Sequence, residues 1–364
     1  MKPMKLSVKI FFVVMSILML LPNLGFAQER IASWNIRNLG WNNDKAFQAL
    51  GRIGAYFDLI SVQEVMSEDG IEGFRRALEA ETGANWDTSC SHLVGRGSYR
   101  EMYCFTWRMD TITLEGGEAV FFDQRDVFAR EPYSAIFSTA SGVQLVATSV
   151  HAIYGDAVAQ RQQEALALRE YVDWLNESFP GLPVFLMGDF NLPPTNPAWA
   201  PVGEIMYPLI QQGATTLSTI DGRLANLYDN IWVPAGTSLP VVAAGRLEFP
   251  HQVLGVSHEE ARDRVSDHIP VWVEVDGRSP GAVLAPHNPG GTVPQATRPA
   301  SDTSANQRAG QGGDAVAMII GNANSKIYHL PGCPHHSRVG AQNRVPFETE
   351  EEARGAGFRR AGNC

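Results

Sequence analysis

The most informative stretch of this sequence is LPVFLMGDFN, which covers residues 182–191. Its first part is apolar and short, which is typical of a buried strand. Gly188 permits an unusual backbone conformation, and the alternation of Asp189 and Asn191 lets both side chains face one pocket. An Asx turn before the following prolines is the alternative. The stretch therefore predicts a buried strand that ends in a carboxylate and a carboxamide.

Three further polar clusters lie at the ends of apolar, β-branched segments. They are Trp34-Asn35 in segment 31–36, Gln63-Glu64 after segment 59–62, and Ser266-Asp267-His268 before segment 269–275. Carboxylates and carboxamides gathered from several strand ends form a hard-oxygen metal pocket, and a histidine adds a proton acceptor. The four clusters together predict metal-assisted chemistry on a phosphate group.

Three residues of these clusters are the predicted metal ligands. Glu64 follows an apolar strand, and Mg²⁺ favours one or two carboxylates together with water and substrate phosphate. Asn35 can bind the same ion or a phosphate oxygen, and Asp267 can complete the ligand set. For Glu64 or Asn35 taken alone, a cap at a strand end is an equal alternative. We expect Mg²⁺ as the ion, with Mn²⁺ as an alternative.

Two histidines are candidate acid–base groups, because an imidazole exchanges a proton near neutral pH. His268 can accept a proton from an attacking water if a carboxylate orients it, and Asp229 is the candidate for that role. His151 closes the strand pattern at 143–150, and Glu101 is its predicted partner. A buried, hydrogen-bonded structural histidine is the alternative for His268. Two such pairs allow one imidazole to activate water and the other to stabilise or protonate the departing oxygen.

Residues 1–27 are typical of a secretory signal peptide. Three lysines, Lys2, Lys5 and Lys9, precede the apolar segment 10–21. Gly25-Phe26-Ala27 then provides small residues for cleavage after Ala27. An uncleaved membrane anchor is the alternative, although the segment is short for a span. Cleavage removes three lysines and no acid, which takes the formal charge from −10 to −13. We expect a secreted, monomeric protein, periplasmic or extracellular, without stable membrane association.

The four cysteines point to disulfides, because exported chains meet an oxidising environment. Cys90 and Cys104 flank the glycines of a predicted hairpin turn and form the first expected pair. Cys333 and Cys364 both lie in the C-terminal segment and form the second expected pair. A metal site that includes His329 is the alternative for the second pair.

Composition divides the mature chain into three parts. Residues 28–277 alternate strand and helix patterns; 156–177 is the clearest helix, and 103–150 favours antiparallel strands. Residues 278–314 are dominated by small and polar residues and cannot bury a core, so they are predicted to be a disordered linker. Residues 315–364 follow as a small C-terminal module. The predicted fold class is α/β with an added small module.

The ordered motifs of the large domain resemble those of the endonuclease/exonuclease/phosphatase superfamily, and most closely its deoxyribonuclease I branch. The matching motifs are Trp34-Asn35-Ile36, Gln63-Glu64, Tyr99-Arg100-Glu101, Arg130-Glu131-Pro132, His151, Gly188-Asp189-Phe190-Asn191, Tyr228-Asp229 and Ser266-Asp267-His268. The similarity covers about residues 30–275. It implies a four-layer α/β sandwich, in which two mainly antiparallel sheets pack face to face between helices.

The same resemblance implies roles for individual residues. His151 and His268 are the implied catalytic imidazoles, with Glu101 and Asp229 as their partners. The residues implied to complete the catalytic set and to hold metal and phosphate are Asn35, Glu64, Asp189, Asn191 and Asp267.

Contacts to DNA are implied for Arg96, Tyr99 and Arg130, which lie where deoxyribonuclease I-like enzymes touch their substrate. Arginine pairs with phosphate, and tyrosine stacks on a sugar or a base. Packing in the core or at the surface is the alternative for these residues. The chain shows no counterpart of the calcium-binding loops and disulfide positions of the animal enzymes, which argues against a dependence on Ca²⁺.

The C-terminal segment resembles the small metal-binding modules of Ada-type DNA repair proteins. The resemblance rests on Lys326-Ile327-Tyr328-His329 through Cys333, on Asn343-Arg344-Val345, and on residues 350–357 to Cys364. The closing cysteine pair of that family is reduced here to Cys364, which favours a disulfide over zinc. Auxiliary DNA binding and a plain structural role are equal alternatives for this module.

The predicted activity is that of a secreted Mg²⁺-dependent endonuclease that cuts DNA, with RNA as an additional candidate substrate. A phosphodiesterase acting on a phospholipid such as sphingomyelin, or on a small phosphate ester, is the first alternative. The acidic charge and the lack of a basic stripe motivate it. A non-catalytic binding protein on a nuclease scaffold is the second alternative, and the presence of both imidazoles argues against it.

Overall fold

The structure is a computed structural model that describes residues 28–41, 44–155, 157–289, 319–323, 326–330, 343–347 and 350–361. These residues fall into two compact units, one containing 28–289 and the other containing 319–361. The predicted signal peptide, Cys333 and Cys364 lie outside the described residues. Within the described ranges, no helix is both long enough and apolar enough to cross a membrane.

The large unit alternates strands rich in β-branched and aromatic residues with a smaller number of helices. In chain order its strands are Glu29–Leu39 (β1), Leu59–Val65 (β2), Trp86–Cys90 (β3), Met102–Arg108 (β4), Ile112–Val120 (β5), Tyr133–Thr139 (β6), Gln144–His151 (β7), Val184–Asp189 (β8), Met206–Pro208 (β9), Asp229–Pro234 (β10), Ser238–Leu239 (β11), Val241–Arg246 (β12), Val271–Val275 (β13) and Ala282–Val283 (β14). Its helices are Phe47–Gly54 (α1), Glu68–Thr82 (α2), Val158–Ser178 (α3), Ala200–Gly203 (α4) and His258–Arg264 (α5), with a 3₁₀ turn at Pro197–Trp199 and a π-helical turn at Pro250–Leu254.

Two six-stranded sheets are built from these strands. The first has the order β12-β13-β1-β2-β4-β3, and the second has the order β5-β6-β7-β8-β10-β9. Neighbouring strands are antiparallel except for β1 beside β2 and β7 beside β8, which run parallel. The prediction of two mainly antiparallel sheets is confirmed.

The two sheets pack face to face, and helices cover their outer faces. Phe105 of the first sheet and Phe137 of the second meet in one buried cluster, with their ring centroids 5.3 Å apart. Because alternate side chains of a strand point to opposite faces, each sheet also has an apolar outer face. Phe74 of α2 packs on the outer face of the first sheet, and Leu168 of α3 packs on that of the second. This arrangement is the predicted four-layer sandwich.

The strand ends that carry the polar clusters meet at one edge of the sandwich. The parallel pair β1 and β2 places Asn35 beside Gln63, and the parallel pair β7 and β8 places His151 beside Asp189. Strand β10 starts at this edge and runs antiparallel to β8, so that Asp229 also lies opposite Asp189. The topology therefore collects side chains that are far apart in the sequence.

Gly188 lies where β8 comes closest to β7. A Cβ atom at this position would lie 2.0 Å from the carbonyl oxygen of Val150, which belongs to the backbone and cannot rotate away. We expect Gly188→Ala to lower the free energy of unfolding by about 3 kcal/mol, at the upper end of the usual cost of overpacking. Gly155→Ala is the control, because its φ of +154° matches the +157° of Gly188 and nothing lies within 4 Å of a Cβ there. Urea denaturation measures both, and equal effects would contradict the close approach of the strands.

The disulfide between Cys90 and Cys104 confirms the first predicted cysteine pair. The two residues lie opposite each other on β3 and β4, and 14 positions separate them in the sequence. Closing a loop of this length stabilises a protein by about 3 kcal/mol, because the unfolded chain loses freedom. We expect the Cys90→Ser/Cys104→Ser variant to lose about that free energy of unfolding, measured by urea denaturation. An unchanged stability would contradict this expectation.

The predicted domain boundary at residue 277 is too early. Strand β14 lies inside the predicted linker 278–314, yet it pairs with β11. His287 packs edge-on against Trp232, with ring centroids 5.4 Å apart. The composition of the segment concealed this order, because the segment is held by backbone pairing, by the His287 ring and by the single core contact of Leu284 rather than by an apolar stripe. The described part of the large unit extends to residue 289.

The second unit is a small sheet with one helix in its described part. Its elements are Ile319–Asn322 (β15), Ile327–His329 (β16), Arg344–Phe347 (β17), Glu350–Gly355 (α6) and Arg359–Arg360 (β18). The strand order is β17-β15-β16-β18, and Tyr328, Phe347 and Phe358 form its core. The choice between a disulfide and a metal site at Cys333 and Cys364 stays a prediction.

Candidate active site

A cleft of about 680 Å³ lies at the edge where the strand ends meet. Its lining includes Glu64, His151, Asp189 and His268. These groups are gathered by the two parallel strand pairs, by β10 beside β8, and by β13, which starts at this edge and runs antiparallel to β1. The predicted cluster is therefore brought together in one cleft.

His151 is held from behind by a carboxylate and an arginine. Its Nδ1 lies 2.9 Å and 3.0 Å from the two oxygens of Glu101, which is fully buried. Arg130 donates from Nε to the carbonyl oxygen of His151 at 3.0 Å, and the same Nε lies 3.8 Å from Glu101. The hydroxyl of Tyr103 accepts the backbone N–H of His151 at 2.9 Å. These contacts fix the ring and leave Nε2 for the cleft.

His268 is held in the same way by a second carboxylate. Its Nδ1 lies 2.9 Å and 3.1 Å from the oxygens of Asp229, which is fully buried. Ser266 accepts the backbone N–H of His268 and donates to the carbonyl of Asn35. The indole of Trp34 donates to the carbonyl of His268 at 2.9 Å. Trp34 and Ser266 thus join the end of β1 to the segment that carries His268.

Asp189 lies between the two imidazoles. Its Oδ2 is 3.6 Å from Nε2 of His151 and 3.6 Å from Nε2 of His268. The other oxygen, Oδ1, accepts the backbone N–H of Asn191 at 3.0 Å. The amide of Asn191 donates to the carbonyl of Ala152, which ties the end of β8 to the end of β7. Two carboxylate-backed imidazoles therefore converge on a third carboxylate.

Glu64 is presented by an irregular piece of backbone. It has φ +59°, and the register of β2 with both neighbouring strands shifts here. Such a bulge redirects a side chain, and a non-glycine residue in the left-handed region costs energy that surrounding contacts must offset. One oxygen accepts from Asn35 Nδ2 at 2.9 Å and the other from the Asn38 N–H at 2.9 Å. The cleft thus receives a carboxylate in a strained, fixed position.

Asn35 bridges two carboxylates instead of presenting its oxygen. Its Nδ2 donates to Glu64 and, at 3.2 Å, to Asp189, while its Oδ1 accepts the N–H of Arg37. In this orientation the amide holds the two carboxylates side by side. Asn35 therefore lies beside Glu64 and Asp189 with its amide nitrogen turned toward them, and its role at a metal site stays a prediction.

Two arginines of the cleft were missed by the sequence reasoning. Arg37 Nε lies 3.9 Å from Asp267, and Arg262 Nη2 lies 3.7 Å from it, and all three residues line the cleft. Arg37 lies two positions after Asn35, and this spacing was the one sequence signal that it could reach the same cleft. Arg262 lies on α5, and an arginine on a helix gives no such signal. These residues add cationic groups to the cleft of an acidic molecule.

The three residues implied to contact DNA have different surroundings. Tyr99 lines the cleft, and its hydroxyl donates to Asn38 at 3.1 Å. Arg130 also lines the cleft, but its guanidinium is engaged with Glu101 and with backbone carbonyls. Arg96 lines a separate cavity of about 530 Å³ and pairs with Asp126 at 2.9 Å. The structure therefore brings Tyr99 and Arg130 to the cleft and places Arg96 at a separate cavity.

Burial and mutual charge shift the pKa values of this cluster. Burial disfavours the charged imidazole of His268, yet Asp229 and Asp189 hold its pKa well above the usual value. Burial, reinforced by Asp189, raises the pKa of Asp229 to about 6. Although burial acts in the opposite sense, His268 and His151 keep the pKa of Asp189 below its usual value. Burial also lowers the pKa of His151, but the neighbouring Glu101 carboxylate outweighs burial, so the pKa of His151 lies above its usual value.

The donor atoms at this edge fit a hard divalent cation. Asp189, Asp229 and His268 each place one ligand atom within 4.8 Å of the others. Nε2 of His151 lies 3.9 Å from Glu64, whose side chain is 14% exposed and so leaves room for water on an ion. Mg²⁺ takes oxygen ligands and retains several waters, so it would bind carboxylate oxygens of this group and not its imidazoles. Glu64 and Asp189, held together by Asn35, would hold such an ion.

Comparisons with known proteins agree with this geometry. The model of the endonuclease/exonuclease/phosphatase family matches residues 32–268. A deoxyribonuclease of Thioalkalivibrio sp. (strain K90mix) is 48% identical over 271 residues, which cover 72% of this chain and 75% of that protein. Deoxyribonuclease-1-like 1 of Sus scrofa is 30% identical, over 71% of this chain and 84% of that protein.

A solved structure and a second family model complete the comparison. Humanized D. rerio TDP2 aligns with a TM-score of 0.50 and 16% identity, covering 68% of this chain and 99% of that one, which supports the fold alone. The ArfC family model matches residues 292–360. This match does not name an Ada-type module, so that resemblance stays a prediction.

The assignment of the large unit rests on agreement between sequence, fold and cleft. The family model spans well over half of the chain, and a relative with 48% identity covers 72% of it. The four-layer sandwich and the converging strand ends agree with that match. The chain belongs to the endonuclease/exonuclease/phosphatase family, in its deoxyribonuclease I-like branch.

Proposed function

We propose that this chain is a divalent-metal-dependent endonuclease that hydrolyses phosphodiester bonds in DNA. The observation that carries the proposal is the convergence of His151 and His268 on Asp189, each imidazole backed by its own carboxylate. The names of the relatives, deoxyribonuclease and Deoxyribonuclease-1-like 1, support DNA as the substrate. RNA is retained as a further substrate to be tested.

In the proposed reaction the two imidazoles divide the proton transfers. Because Asp229 and Asp189, against the effect of burial, raise the pKa of His268, a divalent cation bound beside Asp189 would be needed to offset their charge and keep the imidazole neutral. In that neutral form His268 accepts a proton at Nε2 from the attacking water, because Asp229 holds Nδ1 and stabilises the resulting imidazolium. His151, held by Glu101, stabilises or protonates the departing oxygen. A divalent cation at Glu64, when bound, supplies charge that offsets the negative charge developing on the phosphate.

Local positive charge would hold the DNA backbone against the acidic protein. Arg37 and Arg262 lie at the cleft and would pair with phosphate oxygens, while Tyr99 offers a ring for a sugar or base. Because the net charge of the chain is −10, such contacts have to be local. Arg96 and its cavity would meet the DNA only beyond the scissile phosphate.

Purified protein incubated with duplex DNA, single-stranded DNA, RNA and sphingomyelin vesicles tests the substrate class. We expect duplex DNA to be cut in the presence of Mg²⁺, and we expect a chelator to stop the reaction. Analysis of the products shows which side of the cut keeps the phosphate. Release of phosphocholine without DNA cleavage would overturn the proposed substrate and leave the phosphodiesterase alternative.

We also propose that the protein is exported to the periplasm or the exterior. The Cys90–Cys104 disulfide supports this, because such bonds persist in oxidising compartments. We expect mass spectrometry of the exported protein to show Gln28 as its first residue. Recovery of the uncleaved chain from the cytoplasm would contradict the proposal.

A further inference from the structure

A second group of metal-ligating side chains lies outside the catalytic cleft. Asp221, His251 and His258 each place one ligand atom within 4.8 Å of the others. Nε2 of His251 is 3.7 Å from Oδ1 of Asp221, and the two imidazole rings stack with centroids 5.1 Å apart. Two ligand atoms on one Zn²⁺ stand roughly 3–4 Å apart, because each bond is about 2 Å long. The group is therefore close to the spacing of a metal site.

His258 provides an independent sign that a ligand belongs here. The residue is 3% exposed, and its buried Nδ1 has no hydrogen-bond partner among the residues that the structure describes. Buried polar atoms normally have a partner, since an unsatisfied one costs free energy. Oδ1 of Asp221 accepts the backbone N–H of His258 at 2.7 Å, which already holds this carboxylate beside the buried imidazole. The side chain of His251 is 48% exposed, so it can rotate toward a shared ion.

We propose that Asp221, His251 and His258 bind a divalent transition-metal ion of the zinc type. Two imidazoles and one carboxylate suit Zn²⁺, whereas Mg²⁺ and Ca²⁺ prefer oxygen ligands alone. Three protein ligands leave a fourth position for water. The site shares no residue with the proposed hydrolytic centre and does not depend on the proposed activity.

Such an ion would brace one wall of the catalytic cleft. Asp221 lies in the loop 217–224, which is closed by the pairing of Leu217 with Leu224. Residues 216–219 line the cleft, and Arg262 of α5 donates to the carbonyl of Leu217. His258 begins α5, and its N–H already donates to Asp221, so the ion would strengthen this existing link between the loop and the helix. The expected consequence is a more stable cleft wall.

Titration with Zn²⁺ alone tests this site on the full-length, chelator-treated protein. Bound equivalents are counted by calorimetry, and the melting temperature is followed with and without the ion. His251→Gln removes an exposed ligand, and His92→Gln is the matched control because His92 is exposed and outside the group. We expect His251→Gln to lose one equivalent of bound Zn²⁺ and part of the rise in melting temperature, and His92→Gln to lose neither.

Two results would overturn the proposal. The first is the same number of Zn²⁺ equivalents and the same thermal response in His251→Gln as in the wild type. The second is an equal loss in His92→Gln, which would show that any surface imidazole accounts for the binding. Zn²⁺ bound at the catalytic cleft or in the C-terminal unit contributes equally to all three proteins and does not affect the comparison.

Discussion

Replacing His268 by alanine is expected to lower the rate of DNA cleavage by about 10²–10⁴-fold, the usual contribution of a positioned acid–base group. The imidazole is held at Nδ1 by Asp229, and its Nε2 faces the cleft 3.6 Å from Asp189. Asp229→Asn should also lower the rate strongly, because an amide can no longer stabilise the imidazolium. Initial rates of plasmid nicking at saturating Mg²⁺ measure both effects.

The control for loss of an imidazole is His92→Ala, since His92 is exposed and away from the cleft. Circular dichroism and the melting temperature establish that each variant is folded. Nicking by His268→Ala within a few-fold of the wild-type rate would exclude His268 as the acid–base group. An equal loss in His92→Ala would attribute the effect to something other than the proposed site.

Glu64→Gln is expected to raise the Mg²⁺ concentration for half-maximal cleavage by at least about 10-fold. Loss of a residue that only hydrogen-bonds a metal ligand already lowers metal affinity by about 10-fold or more, and Glu64 is itself a proposed ligand. The substitution removes the charge of a carboxylate that Asn35 and the Asn38 N–H hold at the cleft. Initial rates over a series of Mg²⁺ concentrations measure the effect. Mn²⁺ binding followed by electron paramagnetic resonance gives a second readout that does not depend on activity.

Glu81→Gln is the matched control, because Glu81 is an exposed glutamate at the end of α2. We expect it to require the same Mg²⁺ concentration as the wild type. If Glu64→Gln keeps the wild-type dependence on Mg²⁺ and the same affinity for Mn²⁺, the ion does not bind at Glu64. The metal site would then have to be sought at the other carboxylates of the cleft.

The fold and most of the site could be predicted because the decisive signals are local. An apolar segment followed by polar residues marks a strand end, as in residues 182–191, and the structure places β8 there. The helix predicted at 156–177 corresponds to Val158–Ser178. His151 ends β7, which runs parallel to β8, and His268 precedes β13, which runs antiparallel to β1. These strand directions bring both imidazoles to the same edge, beside Asp189.

Other parts of the site depend on geometry that the sequence does not express. The left-handed backbone of Glu64 and the orientation of the Asn35 amide arise from a bulge that only the packed sheets define. Arg262 reaches the cleft from α5, and Arg96 reaches a separate cavity. The sequence does not show where a long side chain ends, because the path of the backbone through the connecting segments determines it. The boundary at 277 was misplaced for a similar reason, since backbone pairing leaves no apolar pattern.

Incubation of supercoiled plasmid with the purified protein and Mg²⁺ tests most directly whether the two imidazoles at Asp189 carry out DNA hydrolysis. The wild type and His92→Ala are predicted to convert the plasmid to nicked and linear forms. The folded His151→Ala/His268→Ala variant is predicted to leave it supercoiled. A wild-type protein that does not cut DNA, or a double variant that cuts it at the wild-type rate, would contradict this assignment.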